Sequence, residues 1–189
     1  MDKKLVSAVD NKREKSTETV RSSGKKMSEY GKQHNEKQKV KHMYGMLEKQ
    51  FVRFFSMAIK QREGATGENL LSLLERRLDN VVFRLKMAKT RSQARQMVVH
   101  GHIQVNNVSV GIPSFLVSID DVISLHPSLH SNKTYIEQVV DRRMKMGIKI
   151  PEWLELDKKN YVGYVLRNPV RSDIQVPIEE HLIVELYSK

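Results

Sequence analysis

The sequence predicts an α+β protein, on three observations. Apolar residues recur at helical spacing from residue 28 to about residue 100. After Gly101 the period switches to two. Beyond residue 126, helical and alternating stretches are mixed, and no internal repeat is present.

Residues 1–27 are rich in Lys, Ser and Thr and have almost no apolar periodicity. They read as a flexible basic extension that cannot bury enough surface to order itself. From Ser28 the helical pattern begins, and Val40, Met43, Tyr44, Leu47, Phe51, Phe54, Phe55, Ala58 and Ile59 form an apolar stripe. Gly45 either loosens this path or separates two helices, and Gly64-Ala65-Thr66-Gly67 reads as a turn. In GENLLSLLERRLDNVVFRL the leucines and valines keep a helical period. One long helix or two breaking near Arg77 would both fit, with Asp79 placed to cap a second one. A further helix is expected over 91–100, opened by Thr90 and Gln93 and stopped by Gly101.

Alternation at 102–105 and 108–110, around Asn106-Asn107, predicts a hairpin. Phe115-Leu116-Val117 and Val122-Ile123-Ser124-Leu125 read as strands, with Asp120-Asp121 turning between them. Residues 126–134 read as a loop and 135–146 as a helix ending at Gly147. Strands are expected at 153–156 and 161–165. The closing segment after Pro177 suits a short helix better than a strand.

Charge narrows the function. Lys and Arg outnumber Asp and Glu by 33 to 22, a net of +11, which favours a polyanionic partner or an acidic membrane surface. The excess is concentrated: residues 1–62 hold 16 basic against 7 acidic side chains, and residues 76–102 hold 7 against Asp79 alone. The absence of cysteine excludes disulfides and thiolate metal sites. No apolar run is long enough to span a bilayer, so a cytoplasmic protein with no membrane partner is expected.

Catalytic signatures are missing. There is no phosphate-binding glycine loop, HExxH site or nucleophile elbow. His100 and His102 straddle a helix end without a nearby carboxylate and make a poor metal pair; no metal or other cofactor is expected. Arg77-Leu78-Asp79 is shared with pseudouridine synthases, which carry a catalytic Asp in such a run, but capping accounts for Asp79 and no room remains for a catalytic domain.

KTRSQARQ, residues 89–96, is more informative. A helix N-terminus favours acids, yet this one is flanked by Lys89, Arg91 and Arg95. Such an end suits a phosphate, and Arg91 and Arg95 lie one turn apart. Plain solvated cations would cost only a few tenths of a kcal/mol against the helix dipole. The second basic block, with Lys25, Lys26, Lys32, Lys37, Lys39, Lys41 and Arg53, favours nucleic acid.

The stretch ERRLDNVVFRLKMAKTRSQARQMVVHGHIQVNNVSVGIPSFLVSIDDVISL resembles the small RNA-binding module named after small-ribosomal-subunit protein four. With SEYGKQHNEKQKVKHMYGMLEKQF before it and EEHLIVELYSK at the end, the chain from about Lys25 to Lys189 resembles that ribosomal protein family, in a cysteine-free form. Residues 1–24 do not resemble the longer basic, often zinc-binding arm usual in the family.

The resemblance implies a helical domain, residues 28–76 completed by 177–189, with an RNA-binding module of two helices on a small antiparallel sheet inserted at 77–176. It implies a structural, non-enzymatic role in the small subunit: binding 16S ribosomal RNA at a helix junction of its 5′ domain, nucleating assembly, and influencing accuracy with ribosomal protein five. Arg77, Arg84, Lys89, Arg91, Arg95, His100 and His102 fall on RNA-facing segments of the module, and Lys37, Lys39, Lys41 and Arg53 on the family's basic helical region. Lys25 and Lys26 match a stretch near the path of incoming messenger RNA. Glu180, Glu185 and Tyr187 match the part facing ribosomal protein five. The other class considered is a free-standing RNA-binding regulator or ribosome-associated factor, which would have no need of that C-terminal segment.

Overall fold

The structure is a computed structural model that describes residues 27–147 and 149–188. The extension expected over 1–27, including Lys25 and Lys26, lies outside the described residues except for Met27.

Four helices build the first core. The Ser28 hydroxyl opens α1 (Glu29–Met43) by accepting from the Gly31 N–H at 3.2 Å. Gly45, at φ +60°, ends it, so the long apolar stripe is two helices and not one. This left-handed conformation is disfavoured for residues with a Cβ. Helix α2 (Glu48–Lys60) turns Phe51, Phe54, Phe55 and Ala58 inward. Gly64, at φ +80°, leads into α3 (Thr66–Glu75), which packs on α2. The last helix of the fold, α8 (Glu180–Tyr187), returns from the far end of the chain and packs on α1 and α3, adding Ile183 to this core.

The break between α3 and the next helix falls at Arg76–Arg77. Arg77 is extended and forms an isolated antiparallel bridge with Leu116. Helix α4 (Leu78–Arg84) then packs on α5 (Arg91–Val99). Asp79 is not the cap expected of it: it lies inside the first turn and accepts from Arg77. The orphan N–H groups of Leu78 and Asp79 are satisfied instead by the carbonyls of Phe115 and Pro113. That arrangement also accounts for Phe115-Leu116-Val117, which forms only the single bridge and no sheet strand, because its backbone is spent on the start of α4.

Five short strands follow the helices: β1 (Ile103–Val105), β2 (Val108–Ser109), β3 (Val122–Leu125), β4 (Leu154–Asp157) and β5 (Val162–Val165). They form one antiparallel sheet in the order β2-β1-β3-β5-β4. Asn106 and Asn107, both at positive φ, make the tight turn of the β1–β2 hairpin. The segment expected to be a loop contains a helical turn, α6 (Pro127–His130), opened by proline and capped by His126. Helix α7 spans residues 133–145, with a wider π-helical stretch over Ile136–Asp141.

The second core joins α4, α5 and α7 to the sheet through Leu78, Val82, Leu85, Val98, Ile123, Val140 and Trp153. Gly163 on β5 leaves the space that Leu85 fills: a Cβ there would stand 2.3 Å from the Leu85 Cδ1. Gly163→Ala is therefore expected to cost about 1–3 kcal/mol by overpacking. Urea unfolding checks it, and a loss below about 0.5 kcal/mol would mean that Leu85 repacks freely.

Candidate nucleic-acid interface

Helix α5 begins as a site that wants an anion. The Thr90 hydroxyl accepts from the Gln93 N–H at 3.1 Å. Gln93 reaches back to the N–H of Lys89 at 2.7 Å, one residue earlier than the reciprocal partner of a capping box. The N–H groups of Arg91 and Ser92 then have no acceptor within the helix, and no acid lies in the first turn. Lys89 is exposed, and Arg95 is half-buried. Neither side chain makes a hydrogen bond or ion pair with another described residue. At the other end of α5, exposed His100 and half-buried His102 lie ring to ring at 6.1 Å, beside an open cavity of about 360 Å³ that Gln93, Gln96 and Tyr135 also line.

Other cations expected on this surface have been drawn inward. Arg77 is 1% exposed, locked to Asp79 at 2.6 Å and stacked over Phe54. A side chain so enclosed cannot reach a ligand, which corrects its place among the RNA contacts. Arg84 donates to Glu75 at 2.6 and 3.0 Å. Arg91 donates to the Asn80 Oδ1 at 2.9 Å, with its guanidinium 4.5 Å from the Phe83 ring centre and 5.2 Å from that of Tyr44. Arg91 and Arg95 are thus not a matched pair on one open face: Arg91 holds the start of α5 against α4, and Arg95 stays available.

Similar capture occurs on the helical core. Lys37 and Lys41 each meet Glu48 at 2.7 Å and are largely covered. Lys39 bonds Glu36 and the Pro177 carbonyl but keeps much of its side chain in solvent. Arg53 is exposed, on the rim of a cavity of about 260 Å³ at the seam between α2 and residues Ser114 and Leu116. The two lysines with Tyr187 hold the Glu48 carboxyl down at about 2 instead of 4.5. A depressed carboxyl stabilises the fold above its unfolded pKa and loses that contribution as pH falls toward the folded value. The stability difference between wild type and Glu48→Gln is expected to shrink between pH 4.5 and 2. Because Glu48 is nearly half exposed, the effect is small. Urea titrations at stepped pH check it, and a difference that stays constant would remove Glu48 from the acid response.

The residues expected to face ribosomal protein five turn partly inward as well. Tyr187 stacks on Phe55, ring centres 4.4 Å apart, and donates to Glu48 at 3.1 Å. Glu180 pairs with Arg171 at 3.2 Å. Glu185 is exposed, with one oxygen accepting from Gln33 at 2.9 Å. These contacts fasten α8 to the first core.

Sequence reasoning missed a second cationic layer beneath α5. Arg143, on α7, donates to the carbonyls of Ala88 and Lys89 and lies 4.5 Å from the Phe83 ring centre. Burial pushes the Arg143 and Arg91 guanidiniums down from their ordinary range; the Arg91 charge adds to this at Arg143, and the Arg84 charge at Arg91. Burial, Lys158 and Arg143 likewise lower Lys86. The guanidiniums remain charged at neutrality. The run DRRMK at the end of α7 was the available signal. Among the described residues no group of three His, Cys, Asp or Glu could hold a metal, and no helix is long and apolar enough to cross a membrane.

The comparisons follow this geometry. The ribosomal protein S4/S9 N-terminal domain model matches residues 1–75, and the S4 domain model matches residues 76–123. Their boundary falls on the break between α3 and α4. The first match includes residues 1–24, which the sequence reading sets apart. Small ribosomal subunit protein uS4 of Caldicellulosiruptor saccharolyticus is 54% identical over 165 residues, covering 87% of this chain and 77% of the relative. The uS4 proteins of Thermoanaerobacter sp. (strain X514) and Trichlorobacter lovleyi are each 52% identical over the same shares. With both parts of the chain matched in order and more than half of the aligned positions shared with C. saccharolyticus, the chain belongs to the small ribosomal subunit protein uS4 family.

Proposed function

We propose that this protein is a structural constituent of the cytoplasmic small ribosomal subunit, binding 16S ribosomal RNA directly and catalysing no reaction. The observation that carries the reading is the capped, acid-free start of α5, with Lys89 and Arg95 unpaired beside it. Its donors and cations suit a phosphate backbone, and recognition of a folded RNA junction rests mainly on shape and phosphates. Lys89, Arg95, His100 and His102 form the main contact surface, with Arg53 and Lys39 as outlying contacts; Lys25 and Lys26, outside the described residues, are assigned to messenger RNA. Arg84 and Arg91 act by positioning α4 and α5.

The finer role is early binding to the 5′ domain, nucleating assembly, with α8 facing ribosomal protein five and affecting accuracy. An open cleft between the start of α3 and α8, lined by Gly67, Glu68, Glu180, His181, Val184 and Glu185, supports that docking surface. The two cores favour a helical domain built on residues 28–76 and 177–189 and a module within 77–176, with Ile174 and Val176 at the end of the module's range packing into the helical core.

A salt-titrated binding assay with the 5′ domain of 16S RNA, against transfer RNA as competitor, tests the reading. Wild type is expected to bind despite the competitor. Lys89→Ala with Arg95→Ala is expected to flatten the log–log salt slope by up to about two units. An unchanged slope in correctly folded protein would return both residues to ordinary solvated surface.

A further inference from the structure

Just ahead of α5, between Phe83 of α4 and Lys89 on one side and α7 on the other, lies an open groove of about 420 Å³. Phe83, Val139 and Met146 make its apolar surface, Lys89 and Arg142 its charged rim, and Gln138 its amide. Arg143 also lines it. Among the described residues no carboxylate does. Met146, at the end of α7, is 64% exposed, an apolar side chain left in water among cations.

That combination selects an occupant. An acidic peptide would satisfy the rim but leave the apolar surface unused, and an apolar peptide would do the reverse. A nucleotide whose base is unstacked has both a flat, weakly hydrated face and flanking phosphates. Such bases are what proteins read in folded RNA, on aromatic and guanidinium surfaces. We propose that the groove holds one unstacked nucleotide of the ribosomal RNA, its base against the exposed Met146, beside the Phe83 ring that already carries Arg91 and Arg143, and its neighbouring phosphates on Lys89 and Arg142. Gln138, with both donor and acceptor, meets the base edge. The close-packed positive charges of Arg91, Arg143 and Lys86 favour an anion over this spot; burial first, and this crowding second, lowers their affinity for protons. The inference rests on the RNA-binding reading above and adds a base contact to what would otherwise be recognition by phosphates alone.

Met146→Ala and Gln138→Ala test it, because both side chains are exposed and neither substitution changes charge. The probe is the 5′ domain of 16S RNA, titrated with the full-length protein across salt concentrations. The double variant is expected to bind about 5-fold more weakly, the low end of the range for losing one stacked base because Phe83 remains, with the wild-type salt slope. Chemical probing of the complex is expected to show one unpaired base protected by wild type and reactive in the variant. Unchanged affinity and an unchanged footprint would overturn the proposal while leaving RNA binding in place. Unchanged RNA affinity together with poor incorporation into small subunits would overturn it too, and mark the groove as a protein-docking site. Failure of wild type itself to bind the RNA would remove both this inference and the reading it rests on.

Discussion

Replacing Glu75 with glutamine is expected to destabilise the protein by about 3–5 kcal/mol, the range for breaking a buried ion pair from one side. Glu75 is 1% exposed at the end of α3 and accepts from Tyr44 at 2.6 Å, from Asn80 at 2.8 Å and from Arg84 at 2.6 and 3.0 Å. Burial and the Glu75 charge push the Tyr44 phenol well above its ordinary range, so it stays a donor. Glutamine would keep the shape but leave the Arg84 guanidinium without its countercharge. The network also spans the two cores: Tyr44 belongs to the first, α4 to the second, and Asn80 passes the connection to Arg91 at the start of α5. A weakened Glu75 should therefore loosen the start of α5 as well as the fold. Urea unfolding checks the first effect and RNA affinity the second. A stability loss under 1 kcal/mol would show that water or relaxation compensates the buried charge.

The second large effect is expected for Asp79→Asn, again about 3–5 kcal/mol. Arg77 would be left charged and enclosed, with its Nε and Nη2 facing a neutral amide in place of the carboxylate they now meet at 3.1 and 2.6 Å. Thermal or urea unfolding measures the loss. The same variant separates this account from catalysis by an R-L-D aspartate: uridine isomerisation in cells carrying it is expected to be normal. Reduced isomerisation with unaltered stability would reverse the assignment.

Much of the fold was legible because local chemistry decided it. The α-then-β order, the turn at Gly64, the stop at Gly101, the Asn106-Asn107 hairpin and the Thr90 cap each depend on residues within a few positions of one another, whereas Gly45 allowed either a loosened helix or the break the structure has. The helical closing segment was legible for the same reason. Phe115-Leu116-Val117 was misread because alternation reports a half-buried extended chain, whether or not a neighbouring strand pairs with it. The short helix at Pro127–His130 was too brief to leave a period.

The candidate site divides in the same way. Net charge, the acid-free start of α5 and the placing of Lys89 and Arg95 were set by the sequence alone, since they require only composition and one helical turn. Which cations remain free was decided by the tertiary structure. Lys37 and Lys41 read as RNA-binding cations until the chain turns at Gly45 and brings Glu48 between them. Arg77, Arg84 and Arg91 read as surface charges until α3, α4 and α5 close on Glu75, Asp79 and Asn80. Arg143 reaches the Ala88 and Lys89 carbonyls from more than fifty residues away. A sequence period records which face of an element is apolar; it holds no record of which opposite charge, from another element, will be folded against a given guanidinium.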